Sequence, residues 1–86
     1  MALNENELKV LGILAEKQDM TASEIADEAE IKGFIGRLVG RRNFFIACAH
    51  LQMNGLIEAR WNDNTENPRS FFRINDAGRD ALSQIT

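Results

Sequence analysis

In the first half of the chain, apolar residues recur among polar ones every three or four positions, the spacing typical of helices. A first helix is predicted over about residues 5–17, because Asn4 and Glu7 form the polar start typical of a capping box. Its inward side is an apolar stripe made by Leu8, Leu11, Leu14 and Ala15, widened by Val10 and Ile13.

A second helix is predicted to begin at Thr21, where Glu24 completes another capping box. Ile25, Ala26 and Ala29 give this helix a narrow apolar face. A short helix with a face of mostly small residues can pack closely across its neighbours. This is the packing that a helix-turn-helix unit requires.

A third helix is predicted from about Asn43, a good N-cap residue, to Asn54. Gly55 provides the stop, because glycine adopts the left-handed conformation after a helix without a Cβ penalty. The apolar residues of this helix recur at i, i+3, i+4 and i+7, as Phe44, Ala47, Cys48 and Leu51.

Residues 31–42, between the second and third helices, contain Gly33, Gly36 and Gly40. Each glycine inside a helix costs about 1 kcal/mol relative to alanine, so a long rigid helix is not expected there. We predict a loop or a broken helical turn, held down by its apolar residues Phe34, Ile35, Leu38 and Val39.

After the third helix the period changes from helical to two. Alternate residues of the segment 56–61 share one face, which predicts a strand. The polar segment 62–69 contains the single proline and predicts a turn. Residues 70–74 then form the returning strand of a β-hairpin.

A final helix is predicted to begin after Asn75 or Asp76, either of which can cap it, and to run to about Gln84. Its inward side comprises Ala77, Ala81, Leu82 and Ile85. The predicted order is α-α-α-β-β-α, a mainly α chain with a small β-hairpin, which is the plan of a winged helix-turn-helix. Because no repeat, low-complexity tract or linker interrupts the chain, residues 1–86 are predicted to form a single winged-helix domain.

The formal net charge of −3 is distributed unevenly along the chain. Residues 1–30 carry eight acidic and two basic side chains, a net −6, whereas residues 31–73 carry seven basic and three acidic ones, a net +4. A polyanion meets the local field of one face, so the acidic total does not exclude binding to nucleic acid.

We expect neither a targeting segment nor a membrane-spanning segment in this chain. No apolar run approaches the roughly 18 residues of a membrane span, and the N-terminus lacks the basic flank and apolar stretch of a signal peptide. The single cysteine, Cys48, can form no internal disulfide, which suits a reducing compartment. We therefore expect a cytoplasmic protein that does not associate with membranes.

Cys48 and His50 are the side chains that suggest a nucleophile or a metal site. Two residues apart on a helix, they face different directions, and the chain has no second cysteine or histidine to complete a zinc set. No phosphate-binding glycine loop, nucleophile elbow or pair of catalytic carboxylates stands out. We expect no enzymatic activity, no cofactor and no metal.

Most aromatic side chains are expected in the core rather than on a surface that stacks on single-stranded bases. They are Phe44, Phe45, Trp61, Phe71 and Phe72. Two adjacent aromatic residues point in different directions, so Phe45 or Phe71 is expected to stay partly exposed.

Two segments, GLIEARW at 55–61 and FFRINDAG at 71–78, resemble the wing of PadR-like transcriptional regulators. Those proteins share a G-L-I strand start, a charged turn, an aromatic-aromatic-Arg strand and a T-x-x-G entry into the next helix. Asn75 stands here in place of the threonine, and GRRN at 40–43 replaces the family's serine-proline lead-in to its third helix. The good match covers about residues 41–82, and the first helices match in pattern.

The resemblance implies that the third helix enters the DNA major groove with its N-terminal end. The polar side chains at this end are Arg37, Arg41, Arg42 and Asn43. Free amides at a helix N-terminus favour phosphate, and arginine and asparagine can each form two hydrogen bonds, to guanine and adenine respectively. The alternative is a solvated basic turn in which Asn43 only caps the helix.

The resemblance also implies that the hairpin contacts the phosphate backbone or the minor groove, here through Arg60, Arg69 and Arg73. Arg73 can instead pair with a carboxylate on the body of the domain.

Two functions follow as hypotheses. The first is a transcriptional regulator of bacterial or phage type that binds double-stranded DNA. Because one module has a small footprint, we expect a homodimer, formed through the first and last helices. The alternative is a winged-helix protein–protein interaction module that does not bind DNA, with the acidic residues 1–30 as the contact for a protein partner.

Overall fold

Four helices and one antiparallel hairpin follow each other in the order predicted from the sequence. The structure is a computed structural model, and it describes residues 3–34, 40–62 and 69–84. The elements are α1 (Glu5–Glu16), α2 (Ala22–Ile31), α3 (Arg41–Met53), β1 (Ile57–Asn62), β2 (Arg69–Ile74) and α4 (Asp76–Ser83). The mainly α winged helix-turn-helix prediction is confirmed.

The first two helices begin with the capping boxes that the sequence predicts. Asn4 Oδ1 accepts a hydrogen bond of 2.8 Å from the Glu7 amide, and the Glu7 carboxylate accepts one of 2.9 Å from the Asn4 amide. At α2, Thr21 Oγ1 accepts from the Glu24 amide at 3.2 Å and the Glu24 carboxylate accepts from the Thr21 amide at 2.9 Å. Both helices therefore begin with two of their unpaired amides satisfied.

Helix α3 begins earlier than the sequence suggests. Gly40 is its N-cap, with a φ of +99°, and no side chain caps this end. The prediction that Asn43 caps the helix was wrong, because a glycine in the left-handed conformation turns the chain into the helix before Asn43 is reached. Arg41, Arg42 and Asn43 consequently occupy the first helical turn.

The end of α3 follows the prediction. Gly55 has a φ of +75°, and its amide donates to the carbonyl of Gln52 at 3.1 Å, while the Leu56 amide donates to the carbonyl of Leu51 at 3.0 Å. This pair of bonds is the Schellman motif, which satisfies the last carbonyls of the helix and directs the chain into β1.

One cluster of buried side chains joins α1, α2, α3 and the hairpin. The predicted inward residues of α2 and α3 are all buried, whereas Leu8 and Ala15 of α1 are only half-buried. The cluster consists of Val10, Leu11, Ile13, Leu14, Met20, Ile25, Ala29, Phe44, Ala47, Cys48, Leu51, Ile57 and Ile74.

The hairpin is joined to the body of the domain by a backbone contact that no sequence pattern indicated. The Met20 amide donates to the carbonyl of Phe72 at 3.1 Å, and the Phe72 amide donates to the carbonyl of Met20 at 2.8 Å. Within the hairpin, Ile57 pairs with Ile74 and Arg60 with Phe71. Met20, two residues before the start of α2, thus acts as a one-residue third strand.

The aromatic residues divide between core and surface. Phe44 is fully buried and Phe72 packs against the core, whereas Phe45 is 40% exposed, as anticipated for one of the adjacent pairs. Trp61 is 60% exposed and lies outside the core that was expected to hold most of the aromatic residues. It lies at the distal end of β1, where the hairpin projects beyond the helices that cover its base.

Helix α4 begins at the asparagine of the predicted helix entry. Asn75 Oδ1 accepts from the Gly78 amide at 2.8 Å. Of the predicted inward residues, Ala77 is exposed, Ala81 and Leu82 are half-buried, and Ile85 lies outside the described residues. Ala77 was assigned wrongly because Gly78, one position further along, is the buried residue of the first turn.

Candidate nucleic-acid interface

Arg41 at the start of α3 forms ion pairs with two carboxylates of α2, the other helix of the helix-turn-helix. Its Nη1 lies 2.9 Å from a carboxylate oxygen of Asp27 and 3.2 Å from one of Glu30, both on α2. The hydrogen bond to Asp27, followed by that to Glu30, raises the pKa of Arg41 above its ordinary value. The guanidinium therefore fixes the position of α3 relative to α2, and its charge is largely matched within the domain.

Arg42 and Asn43 stand free at the start of the same helix. Both are exposed, and neither side chain forms a hydrogen bond or an ion pair with any residue in the described part of the chain. Their rotation from Arg41 along the helix turns them away from α2. Arg37, the fourth residue predicted at this end, lies outside the described residues.

A line of mostly apolar side chains follows Arg42 along the outward face of α3. Ile46 is 42% exposed and Met53 is 82% exposed, and Ala49 lies exposed between them. We call Arg42, Ile46, Ala49 and Met53 the outer line of α3. The spacing i, i+4, i+7 and i+11 of these residues is present in the sequence, but periodicity alone does not show which of two apolar stripes on one helix is buried.

The hairpin arginines share a face at the register positions that the structure describes. Glu58 pairs with Arg73 and Arg60 with Phe71, so Arg60 and Arg73 stand on the same side of the two strands. The backbone of Arg69 pairs with Asn62 at the distal end of β2. The hairpin thus carries two cationic side chains on one exposed face.

Arg73 is anchored to the body of the domain, as one of the two interpretations from the sequence held. Its Nε and Nη2 donate to the two carboxylate oxygens of Asp19 at 3.1 and 3.0 Å. These hydrogen bonds hold the pKa of Asp19 below its ordinary value, and the charges of Arg73 and Arg60 lower it further. Asp19 adjoins Met20, so the ion pair and the backbone bridge to Phe72 fix the same part of the hairpin.

We predict that Asp19→Asn speeds hydrogen exchange of the Phe72 amide by about two- to fivefold, the range expected for loss of an exposed ion pair. NMR-detected exchange measures this. The lowered pKa of Asp19 means that its contribution is present at neutral pH and is lost as the pH falls below the ordinary value of 3.8. Asp80→Asn, which removes an exposed charge from α4, is the control; equal rates in both variants would contradict the anchoring role.

Every acidic side chain among residues 1–30 is engaged within the domain. Two complete capping boxes, and the others pair with lysine or arginine side chains. The pairs are Glu5–Lys9, Glu16–Lys32, Asp19–Arg73, Glu28–Lys17, and Asp27 and Glu30 with Arg41; Glu7 and Glu24 complete the boxes. The pairs of Glu16, Asp19, Asp27, Glu28 and Glu30 join different parts of the fold, whereas those of Glu5, Glu7 and Glu24 are local to one helix. The role of residues 1–30 as the contact for a protein partner lacks support.

Cys48 and His50 form no common site. Cys48 is buried in the core, and burial raises the pKa of its thiol from 9.0 to about 11, which makes it a poor nucleophile. His50 Nδ1 lies 3.9 Å from a carboxylate oxygen of Glu7 on α1. Across residues 3–34, 40–62 and 69–84, no three histidine, cysteine or acidic side chains are grouped to hold a metal ion.

The described helices include none that is long and apolar enough to cross a membrane.

Three helices, a hairpin that packs back onto them and a fourth helix define a winged-helix domain, with α2 and α3 as its helix-turn-helix. Residues 10–84 match the profile of the transcriptional regulator PadR-like family. The chain belongs to this family, which confirms the resemblance drawn from the wing motifs. No match was found among curated proteins.

Solved structures with the same fold include several transcription regulators. A PadR family regulator from hypervirulent Clostridium difficile aligns with a TM-score of 0.78 at 19% identity, over 95% of this chain and 83% of that one. Bacillus subtilis PadR in complex with operator DNA aligns with a TM-score of 0.79 at 16% identity, over 98% of this chain and 48% of that one. A transcriptional regulator from Clostridium thermocellum gives 0.76 at 24%, over 92% and 76%.

Proposed function

We propose that this protein regulates transcription by binding a specific sequence of double-stranded DNA with the first turn of α3. The observation that carries the proposal is the pair of exposed side chains, Arg42 and Asn43, that have no partner within the described residues. The fold shared with a PadR protein in complex with operator DNA supports this placement. A helix of this size fits the major groove, where base edges carry a distinct pattern of donors and acceptors.

The chemistry of the first turn suits reading of base edges. Arg42 can donate two hydrogen bonds to O6 and N7 of guanine, and Asn43 can pair with N6 and N7 of adenine. Arg41 forms ion pairs with Asp27 and Glu30, so we assign it to holding α3 in place. We also assign it to the backbone phosphates near this end of the helix. We keep Arg37 in the same interface, since it precedes α3 by a few residues.

The hairpin is assigned to the phosphate backbone. Arg60, Arg69 and Arg73 neutralise phosphate charge and release counterions, which provides affinity without reading sequence. The Asp19 carboxylate offsets part of the positive charge of Arg73, but the same ion pair fixes the hairpin against the body of the domain. A wing held in one position loses less entropy on binding than a mobile one.

We further propose that the protein acts as a homodimer in the cytoplasm and has no catalytic role. One winged helix covers a small stretch of DNA, and two copies related by a twofold axis would read two half-sites. The first and last helices, α1 and α4, are the proposed contact between copies. Size-exclusion chromatography with light scattering tests this arrangement.

Fluorescence-anisotropy titration across a salt series tests the proposed function. A randomised duplex library is first enriched on the purified protein, and an enriched duplex is compared with a scrambled one. We expect tighter binding to the enriched duplex and affinity that falls with salt, with a log–log slope of about −0.9 per phosphate contact. Equal affinity for both duplexes, or no binding at low salt, would refute a sequence-specific DNA-binding protein.

A further inference from the structure

The outer line of α3 is mostly apolar, although α3 is the helix that we propose binds DNA. Arg42 at its start is followed by Ile46, Ala49 and Met53, none of which can donate a hydrogen bond from its side chain. Ile46 and Met53 are 42% and 82% exposed, and Phe45 beside them is 40% exposed. Apolar side chains aligned on one exposed helix face indicate a surface that a partner covers.

The position of the outer line indicates that DNA is the partner that covers it. The line begins at Arg42, which lies in the turn proposed to read bases, so the same groove that receives Arg42 also receives Ile46 and Ala49. From residue 42 to residue 53 the helix rises about 16 Å at 1.5 Å per residue. Ile46 and Ala49 lie about 6 and about 10 Å beyond Arg42 along the helix, so they face base pairs within about three steps, at 3.4 Å each, of the one that Arg42 contacts.

The major groove presents one apolar group, the C5-methyl of thymine. We propose that Ile46 and Ala49 contact thymine methyl groups, so that the outer line reads an arginine-recognised base pair followed by thymines. The inference rests on the proposed function and adds its sequence preference. Met53 lies further along the groove, and its flexible side chain can adapt to a methyl group on either strand.

The physical basis of this preference is the burial of the methyl group. A methyl group covered by Ile46 is removed from water, which favours thymine over a base that lacks it. Cytosine carries a hydrogen atom in place of this methyl group, so it gives the apolar side chains a smaller contact. The proposal also implies that 5-methylcytosine is tolerated better than cytosine there, because it carries a methyl at the same place.

Replacing thymine by uracil tests the proposal, since only the methyl group is removed. The duplex enriched on the wild-type protein is synthesised with uracil at one thymine at a time, and its affinity is measured by anisotropy. We expect about fourfold weaker binding at each contacted thymine, the effect of one methyl group removed from water. Uracil at the remaining thymines leaves the affinity unchanged.

The Ile46→Ala variant assigns the contact to a residue. Ile46 is partly exposed, so the variant is expected to fold, which circular dichroism verifies. At the thymine that Ile46 contacts, the variant should bind the thymine and uracil duplexes equally. At the other contacted thymines it should still bind the thymine duplex more tightly. Ile31→Ala is the matched control, because Ile31 is 78% exposed but lies at the end of α2 and outside the outer line.

The possible failures separate the two proposals. Preference for the enriched duplex with no thymine–uracil difference at any position would overturn the methyl contact and leave the DNA-binding function standing. Absence of sequence preference would overturn both. If Ile46→Ala instead abolished self-association in sedimentation without changing the thymine–uracil ratio, the outer line would be a contact between protein copies and the inference would be overturned.

Discussion

Gly78→Ala is expected to destabilise the folded domain by about 2–3 kcal/mol, the upper part of the range for overpacking a buried position. A Cβ at this position would collide with the carbonyl oxygen of Leu56 and would lie 2.7 Å from Cγ1 of Ile74. The first of these neighbours is backbone, and it sits in the turn that ends α3. The collision therefore cannot be avoided by rotating one side chain, and α4 would have to move as a whole.

Urea denaturation followed by circular dichroism measures this effect. Gly12→Ala is the matched control, because Gly12 lies inside α1 and a Cβ there would meet nothing within 4 Å. That substitution should raise the free energy of unfolding by about 0.5–1 kcal/mol through the reduced entropy of the unfolded chain and better helix propensity. If Gly78→Ala matched the wild type within about 0.5 kcal/mol, the close approach of α4 to Leu56 would not constrain the fold.

Arg42→Ala should weaken binding to the enriched duplex by about 1–3 kcal/mol, which corresponds to about 5- to 150-fold in Kd. The side chain has no partner within the described part of the domain, so the free energy of unfolding should change little. Binding to a scrambled duplex should weaken much less, because non-specific affinity comes from phosphate contacts. Anisotropy titrations at one salt concentration compare the two duplexes.

Arg79→Ala controls for the loss of one positive charge. Arg79 is exposed on α4 and forms no ion pair with the residues that the structure describes, so its removal should leave the preference for the enriched duplex intact. Because α4 belongs to the proposed contact between copies, light scattering first verifies that this variant keeps the oligomeric state of the wild type. Arg41→Ala is a poorer probe, since it also breaks two ion pairs with α2. An unchanged affinity of Arg42→Ala for both duplexes would remove Arg42 from the proposed reading turn.

The helices were predictable because their signals are local. The capping boxes at Asn4 and Thr21 and the stop at Gly55 each depend on residues within one or two turns, and hydrophobic periodicity identified the buried face of α3. The start of α3 escaped prediction because Asn43 is a strong N-cap residue, whereas nothing in the local sequence distinguished Gly40 from Gly33 and Gly36 as the glycine at which the helix begins.

The attachment of the hairpin was beyond sequence reasoning. The bridge between Met20 and Phe72 joins residues far apart in the chain, and a one-residue strand leaves no periodicity. For the same reason, Arg73 could be assigned either to DNA or to a carboxylate, and only the fold identifies Asp19 as its partner. Trp61 follows the alternation of its strand, yet alternation does not tell how far the helices extend over it.

Asn75 joins the end of one helix to the beginning of another. Its side-chain amide donates to the carbonyl of Gly55 at 2.7 Å, its backbone amide approaches the carbonyl of Leu56 at 3.4 Å, and its Oδ1 caps α4 at Gly78. The far end of α3 and the near end of α4 therefore behave as one mechanical unit. In the proposed homodimer, a second copy in contact with α4 would also constrain the tilt of α3, because Asn75 and the close approach of Gly78 to Leu56 both join the two helix ends.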